Sequence, residues 1–134
     1  MRDRSVDPVA ISQVREAYDR LMSAFASADT NKYFDCFHED ASFVFPGEAV
    51  LDSRAAYRST WSRWQREGLR FTDVVADDVR VRVMGATAVV THRIETTVVA
   101  DGKASVDRER ETIVLSNVGG RWLAVHEHLS PEET

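Results

Sequence analysis

Cysteine is nearly absent. Cys36 is the only one in 134 residues, so no internal disulfide can form and no thiolate cluster can gather a zinc ion. Set among aromatics in "YFDCFHED", it reads as a small buried hydrophobe and not as a nucleophile. Positive charge is also short. Lys and Arg number 17 against 22 Asp and Glu, for a net charge of -5. The arginines lie scattered among acids, which argues against a nucleic-acid partner, because such a partner requires a continuous cationic surface. No apolar run approaches the roughly 18 residues of a membrane span, and "MRDRSVDP" has no apolar core of an export signal. A cytoplasmic protein without membrane contact is expected. Neither an internal repeat nor a low-complexity linker is present.

What is present suffices for one core. Apolar residues make up 43% of the chain, and a length near that of a typical domain, roughly 100 to 150 residues, predicts a single unit over 1–134 with flexible ends at 1–6 and 131–134. Asp7 followed by Pro8 predicts a capped helix, and Val14, Ala17, Tyr18, Leu21, Met22 and Phe25 extend it over about residues 8–27 at spacings of three and four. Asp29 or Thr30 caps a shorter helix carrying Tyr33, Phe34 and Phe37. "ASFVFPG" is a short strand stopped by proline and glycine. Ser53 caps a third helix that closes at Gly68, with Tyr57, Trp61 and Trp64 along one side.

Beyond Gly68 the period changes from 3.6 to 2. "VRVRVMG" alternates, "ATAVVTHRIETTVVADGK" closes on the hairpin dipeptide Asp101-Gly102, and "RERETIVLSNVGGRWLAVHEHLS" gives two strands about Gly119-Gly120. Helices followed by meandering strands predict an α+β fold, with the helices covering one face of a curved antiparallel sheet.

This order of elements, together with the ending "R-x-T … G-x-W-x-x-V-H-x-H-x-S", resembles the SnoaL-like branch of the nuclear transport factor and ketosteroid isomerase superfamily. "FVFPGEAVLD", "HRIETTVVADG" and "GGRWLAVHEHLS" are further similar to the association domain of calcium/calmodulin-dependent protein kinase II. The resemblance implies a cone-shaped, cystatin-like domain with three N-terminal helices on a strongly curved sheet, a pocket between them, and a homodimer formed through the sheet's outer face. It does not imply one reaction, since the superfamily includes isomerases, cyclases, dehydratases and non-catalytic assembly domains. The kinase-type domain lines its pocket with three arginines. One of those positions falls on Arg93, and the other two fall on Ile113 and Leu129.

Side chains alternate along a strand. On the last strand Leu123, Val125, Glu127 and Leu129 share the more aliphatic face, opposite Trp122, Ala124, His126, His128 and Ser130. On the strand before it Glu109, Glu111, Ile113 and Leu115 oppose Arg108, Arg110, Thr112 and Val114. With the aliphatic faces against the helices, Glu111 and Glu127 point inward and the histidine pair points outward. His126 and His128, with Trp122, Arg110 and Thr112, then form a dimer interface; a metal site completed by His92 is the alternative, and a bulge that reversed the alternation would send the pair to the pocket.

Arg93, Glu95, Glu111 and Glu127 form the second constellation. A carboxyl among Val125, Leu129 and Ile113 has its charged form penalised by desolvation, which suits it to proton transfer near neutral pH. The alternative is a plain Arg93–Glu95 pair, with the other two acids at a wet rim. Tyr18, Phe45, Tyr57, Trp61 and Trp64 either wall a pocket or fill the core. The expectation is a protein binding a small organic molecule, with acid/base isomerase, cyclase or dehydratase chemistry by Glu127 or Glu111 and with Arg93 holding an oxyanion. A non-catalytic association domain is the competing reading, and no cofactor or resident metal is expected.

Overall fold

A computed structural model describes residues 7–132. Three helices, α1 (Pro8–Ala26), α2 (Thr30–Asp35) and α3 (Arg54–Arg66), precede and flank five strands: β1 (Phe37–Val44), β2 (Arg70–Met84), β3 (Thr87–Ala100), β4 (Lys103–Val118) and β5 (Arg121–Pro131). Each helix begins where the sequence supplies an acceptor for its unpaired N–H groups. Asp7 accepts from the amides of Val9 and Ala10, both at 3.1 Å. Asp29 accepts from Lys32 at 3.2 Å, and Ser53 from Ala56 at 3.0 Å. α3 ends two residues before a glycine in the left-handed region, Gly68 at φ 88°.

The strands form one curved, unclosed sheet in the order β1-β5-β4-β3-β2. β2 to β5 meander antiparallel. Their hairpins at Asp101-Gly102 and Gly119-Gly120 have positive φ at both central residues, as a tight type I′ turn requires. β1 departs from the expectation. It pairs parallel with β5, with Ser42 opposite His126 and Val44 opposite His128, so the sheet is mixed at one edge. Phe37 opens β1 and does not extend the second helix, and its ring is fully buried. At the other end, Pro131 closes β5 and the Glu132 amide donates to the Arg108 carbonyl at 2.9 Å. Pro131 therefore belongs to the sheet and Glu132 is tied to β4 by that bond, in place of the frayed tail expected there; residues 1–6 and 133–134 lie outside the described residues.

A β-bulge decides which side chains of β5 look where. Val114 pairs with His126 while Leu115 pairs with Ala124, leaving Val125 without an opposite number. Trp122 and Ala124 on one side of it, and Glu127 on the other, therefore all face the helices and are buried. This corrects the uniform alternation expected for β5. Trp122 is not an outer-face residue: it packs against α1 and its indole N–H donates to Gln13 Oε1 at 3.3 Å. Leu123 and Val125 are only partly covered.

The inner side of the sheet packs on an aromatic core. Phe34, Phe37, Phe43, Tyr57 and Trp61 meet mostly edge to face at centroid separations of 4.5–6.1 Å. α1 adds Val14, Ala17, Tyr18, Leu21 and Ala24.

Candidate active site

Between the helices and the inner face of β3 to β5 lies a cavity of about 330 Å³. Its walls have two characters. One is apolar and aromatic: Phe25 of α1, Phe45 after β1, Tyr57 and Trp64 of α3, and Phe71 of β2. The other is a row of carboxyls on the sheet. Asp107, Glu109 and Glu111 stand at alternate positions of β4, and Glu127 of β5 lies on the same face. Burial rises along that row from exposed Asp107, through half-buried Glu109, to Glu111 at 8% exposure. Glu127 pairs with Ile113 and Glu111 with Leu129, so the two acids are diagonal neighbours, a separation that long side chains bridge.

Glu127 is 1% exposed, and its Oε2 is buried without a hydrogen-bond partner. Burial holds its carboxyl protonated well above the usual carboxylate range, and the neighbouring charge of Glu111 and a hydrogen bond with it push in the same direction. Glu109 is raised to about 7, mainly by burial and then by the charges of Asp107 and Glu111. Its neighbours on β3 facing the cavity, Ile94, Thr96 and Val98, carry no charge to offset this.

Behind Glu111 sits a chain of hydrogen bonds. The His92 imidazole Nε2 lies 2.8 Å from Glu111 Oε1, and the Tyr18 hydroxyl lies 2.6 Å from His92 Nδ1. With the Nε2–H donating to Glu111 and the tyrosine hydroxyl donating to Nδ1, all three groups are satisfied by a neutral imidazole. The Tyr18 hydroxyl is pushed up to about 12, first by burial and then by the Glu111 charge, which suits it to donating. Near Glu127, the Tyr33 and Tyr57 hydroxyls lie 2.8 Å apart. Burial holds both protonated far above their usual range, and Glu127 adds to this. One hydroxyl proton serves the bond between them, and the other is available to an oxygen in the cavity.

The candidates from the sequence fall into three groups. Glu111, Glu127, Phe45, Tyr57, Trp64 and Leu129 line the cavity together. Tyr18, Trp61 and Ile113 are buried but belong to the packed layer around it. Arg93 and Glu95 are corrections. Both are exposed on the outer face, where Arg93 donates to Asp77 Oδ1 at 3.0 Å and Glu95 accepts from Arg108 at 3.2 Å. The β3 residues that look inward are Val90, His92, Ile94 and Thr96. Arg93 therefore holds no oxyanion in this cavity, and it does not pair with Glu95.

His92 is likewise separated from His126 and His128, which lie on the sheet's other side, so the three cannot share a metal ion. His126 Nδ1 instead lies 2.7 Å from Ser42 Oγ. Cys36 is half-buried with its thiol raised by burial, and its Sγ–H donates to the Lys32 carbonyl at 3.3 Å. Three residues of the site were absent from the sequence candidates in this role. The parity of Val90 and Ile94 was the signal for His92, and the inward set containing Glu111 also contained Glu109. For Tyr33, on a one-turn helix, no periodic signal exists.

Comparisons with known proteins agree with this architecture. A ketosteroid isomerase-like protein from Erwinia carotovora atroseptica superposes with a TM-score of 0.82 at 16% identity, over 96% of this chain and 100% of its own. A candidate dehydratase of the NTF2-like family from Streptomyces avermitilis gives 0.76 at 21% identity, over 94% and 98%. A candidate calcium/calmodulin-dependent protein kinase II association domain from Xanthomonas campestris gives 0.73 at 22%, over 89% and 85%. No curated protein matches the chain. The SnoaL-like domain profile matches residues 14–132, and on that match, which spans nearly the whole fold, the chain belongs to the SnoaL-like family.

Proposed function

We propose that the protein binds a small organic molecule in this cavity and transfers protons on it, with the Glu111–Glu127 pair as the acid/base group. The carrying observation is the buried, unpartnered Oε2 of Glu127 in the lining of a cavity walled by aromatics on one side and by carboxyls on the other. A buried polar atom without a partner is costly, and a ligand oxygen or C–H acid placed there would relieve it. Burial favours a proton on Glu127, and the adjacent Glu111 carboxyl, hydrogen-bonded to His92, is a neighbouring acceptor, so the pair offers both a donor and an acceptor at one locus. The Tyr33–Tyr57 hydroxyls supply a donor for a developing oxyanion. Isomerisation, cyclisation and dehydration of a carbonyl compound all need these parts, and relatives of the same fold described as isomerase-like and as a candidate dehydratase fit that reading.

The test is hydrogen–deuterium exchange at the α-carbon of small cyclic ketones, followed by NMR in D2O. Exchange above the buffer rate is expected from the wild type, with a fall of about 100-fold in Glu127→Gln, a typical size for loss of a general acid or base. Equal exchange in the wild type and in Glu127→Gln would overturn the proposal.

One observation favours a second, compatible role for the outer face. Val89, Val114, His126 and Ser42 stand side by side across the sheet, as do Thr91, Thr112, His128 and Val44. This patch is free of acids and of Lys and Arg, and is flanked by Arg110. We propose it as the contact between two copies of the chain. Light scattering on His126→Glu/Thr112→Glu should show a monomer where the wild type is a dimer; a wild-type monomer would refute it.

A further inference from the structure

We infer that the ligand of this cavity is an organic cation, a protonated or quaternary amine carried on an aromatic or alicyclic body. The inference rests on the cavity reading above and narrows it to a class. Charge on the sheet is sorted by face. Arg93, Arg108 and Arg110 all lie outside, each paired with an acid at 3.0–3.2 Å. The four acids on the inner face have no such partner. Among the described residues Asp107, Glu109 and Glu127 enter no ion pair, and the one basic partner of Glu111 is the His92 imidazole. The cavity lining contains no Lys, Arg or His at all, and the one further acid there, Glu48 at the rim, is already held by Arg63 at 3.0 Å.

A carboxylate ligand would be repelled here. A cation would be drawn inward along β4, where alternate residues on one face advance by about 6.6 Å. The opposite wall completes the fit, because Phe25, Tyr57, Trp64 and Phe71 line the same space, and aromatic rings attract cations. A metal ion is the wrong cation, since no group of three or more His, Cys, Asp or Glu among the described residues is arranged to hold one. The unpartnered Glu127 Oε2 lies in the lining of this space and marks it as built for an occupant.

The experiment is isothermal titration at pH 8 with three probes of similar shape: phenethylamine, 2-phenylethanol and phenylacetate. The amine is expected to bind about tenfold more tightly than the alcohol, a difference of about 1.4 kcal/mol, and the carboxylate most weakly. Glu109→Gln should reduce the amine's advantage several-fold while leaving the alcohol's affinity in place. Asp107→Asn, at an exposed position, should do the same to a smaller degree. With benzyltrimethylammonium, whose charge does not titrate, affinity should rise as the pH passes upward through about 7, where Glu109 ionises. The charged groups acting on Glu109 are the acids Asp107 and Glu111, and the cavity lining holds no cation to mask that step. An alcohol that binds as well as the amine would overturn the cation inference and leave the cavity reading intact. Binding by none of the three would overturn both, and equal losses of amine and alcohol in Glu109→Gln would overturn the assignment of the cation to the carboxyl row.

Discussion

On the outer face of β4, Arg108 and Arg110 lie 3.2 Å from Glu95 and Asp78, and both pairs stand in solvent. On the inner face, one residue away in sequence, Glu109 and Glu111 look into a cavity lined by no Lys or Arg. The "RERE" run that supplies all four is compositionally balanced, and alternation sorts it into opposite environments. Outside, water screens each charge, so partners are cheap to find and cheap to lose. Inside, burial and like charge hold protons on carboxyls that would otherwise release them. Ion pairs in solvent give the sheet a polar exterior, and unpaired acids out of solvent give it chemistry.

Variants that act on one face and not the other would test this division. The largest effect is expected at Trp122, which the bulge turns inward: Trp122→Ala should lower unfolding free energy by about 3 kcal/mol in urea denaturation, as for a buried large aromatic. Leu123→Ala, on the more open side of the same strand, should cost clearly less, and equal losses would contradict the bulge geometry. Next is His92→Ala, which removes the buried hydrogen-bond partner of the Tyr18 hydroxyl and of Glu111 Oε1; a loss of about 2 kcal/mol is expected, and His92→Gln should recover part of it.

Third is pH. Glu109 has a folded pKa raised from the usual 4.5 to about 7. Its contribution is therefore fully present below pH about 4.5 and is lost as pH rises towards 7, because the unfolded chain ionises first. Half-exposed and screened, the residue should account for about 1 kcal/mol of that fall. Glu109→Gln should flatten the melting temperature across this window, and an unchanged slope would show that Glu109 titrates normally. The smallest effect belongs to Arg93→Ala, which should leave both the denaturation midpoint and ligand affinity where they were. A loss of ligand affinity there would place Arg93 in the site after all.

Much of this was legible in the residues. Helix caps, the aromatic side of α3, the two glycine-bearing hairpins and the inward direction of Glu111 and Glu127 all follow from local pattern. Trp122 was not legible, because one extra residue at Val125 shifts the phase of β5, and only its pairing with β4 reveals that. Glu127 faced inward under either treatment, since the bulge precedes it. Arg93 was placed inward by family likeness against its own strand, where Val90, Ile94 and Val98 have the opposite parity. The parallel pairing of β1 with β5 leaves no mark in a local window at all.

That last pairing has a consequence for how the chain is made. β1, complete by residue 44, finds its only strand-length partner in β5, which begins at residue 121. Until the β5 residues from Arg121 onward have emerged from the ribosome, Phe37, Ala41 and Phe43 therefore have no strand to pair with. The loop that must close between the two strands is long, and contacts of such separation slow folding. The nascent chain carries a short aromatic strand that waits for its mate, and the rate at which the last hairpin docks onto it is expected to limit the appearance of the finished cavity.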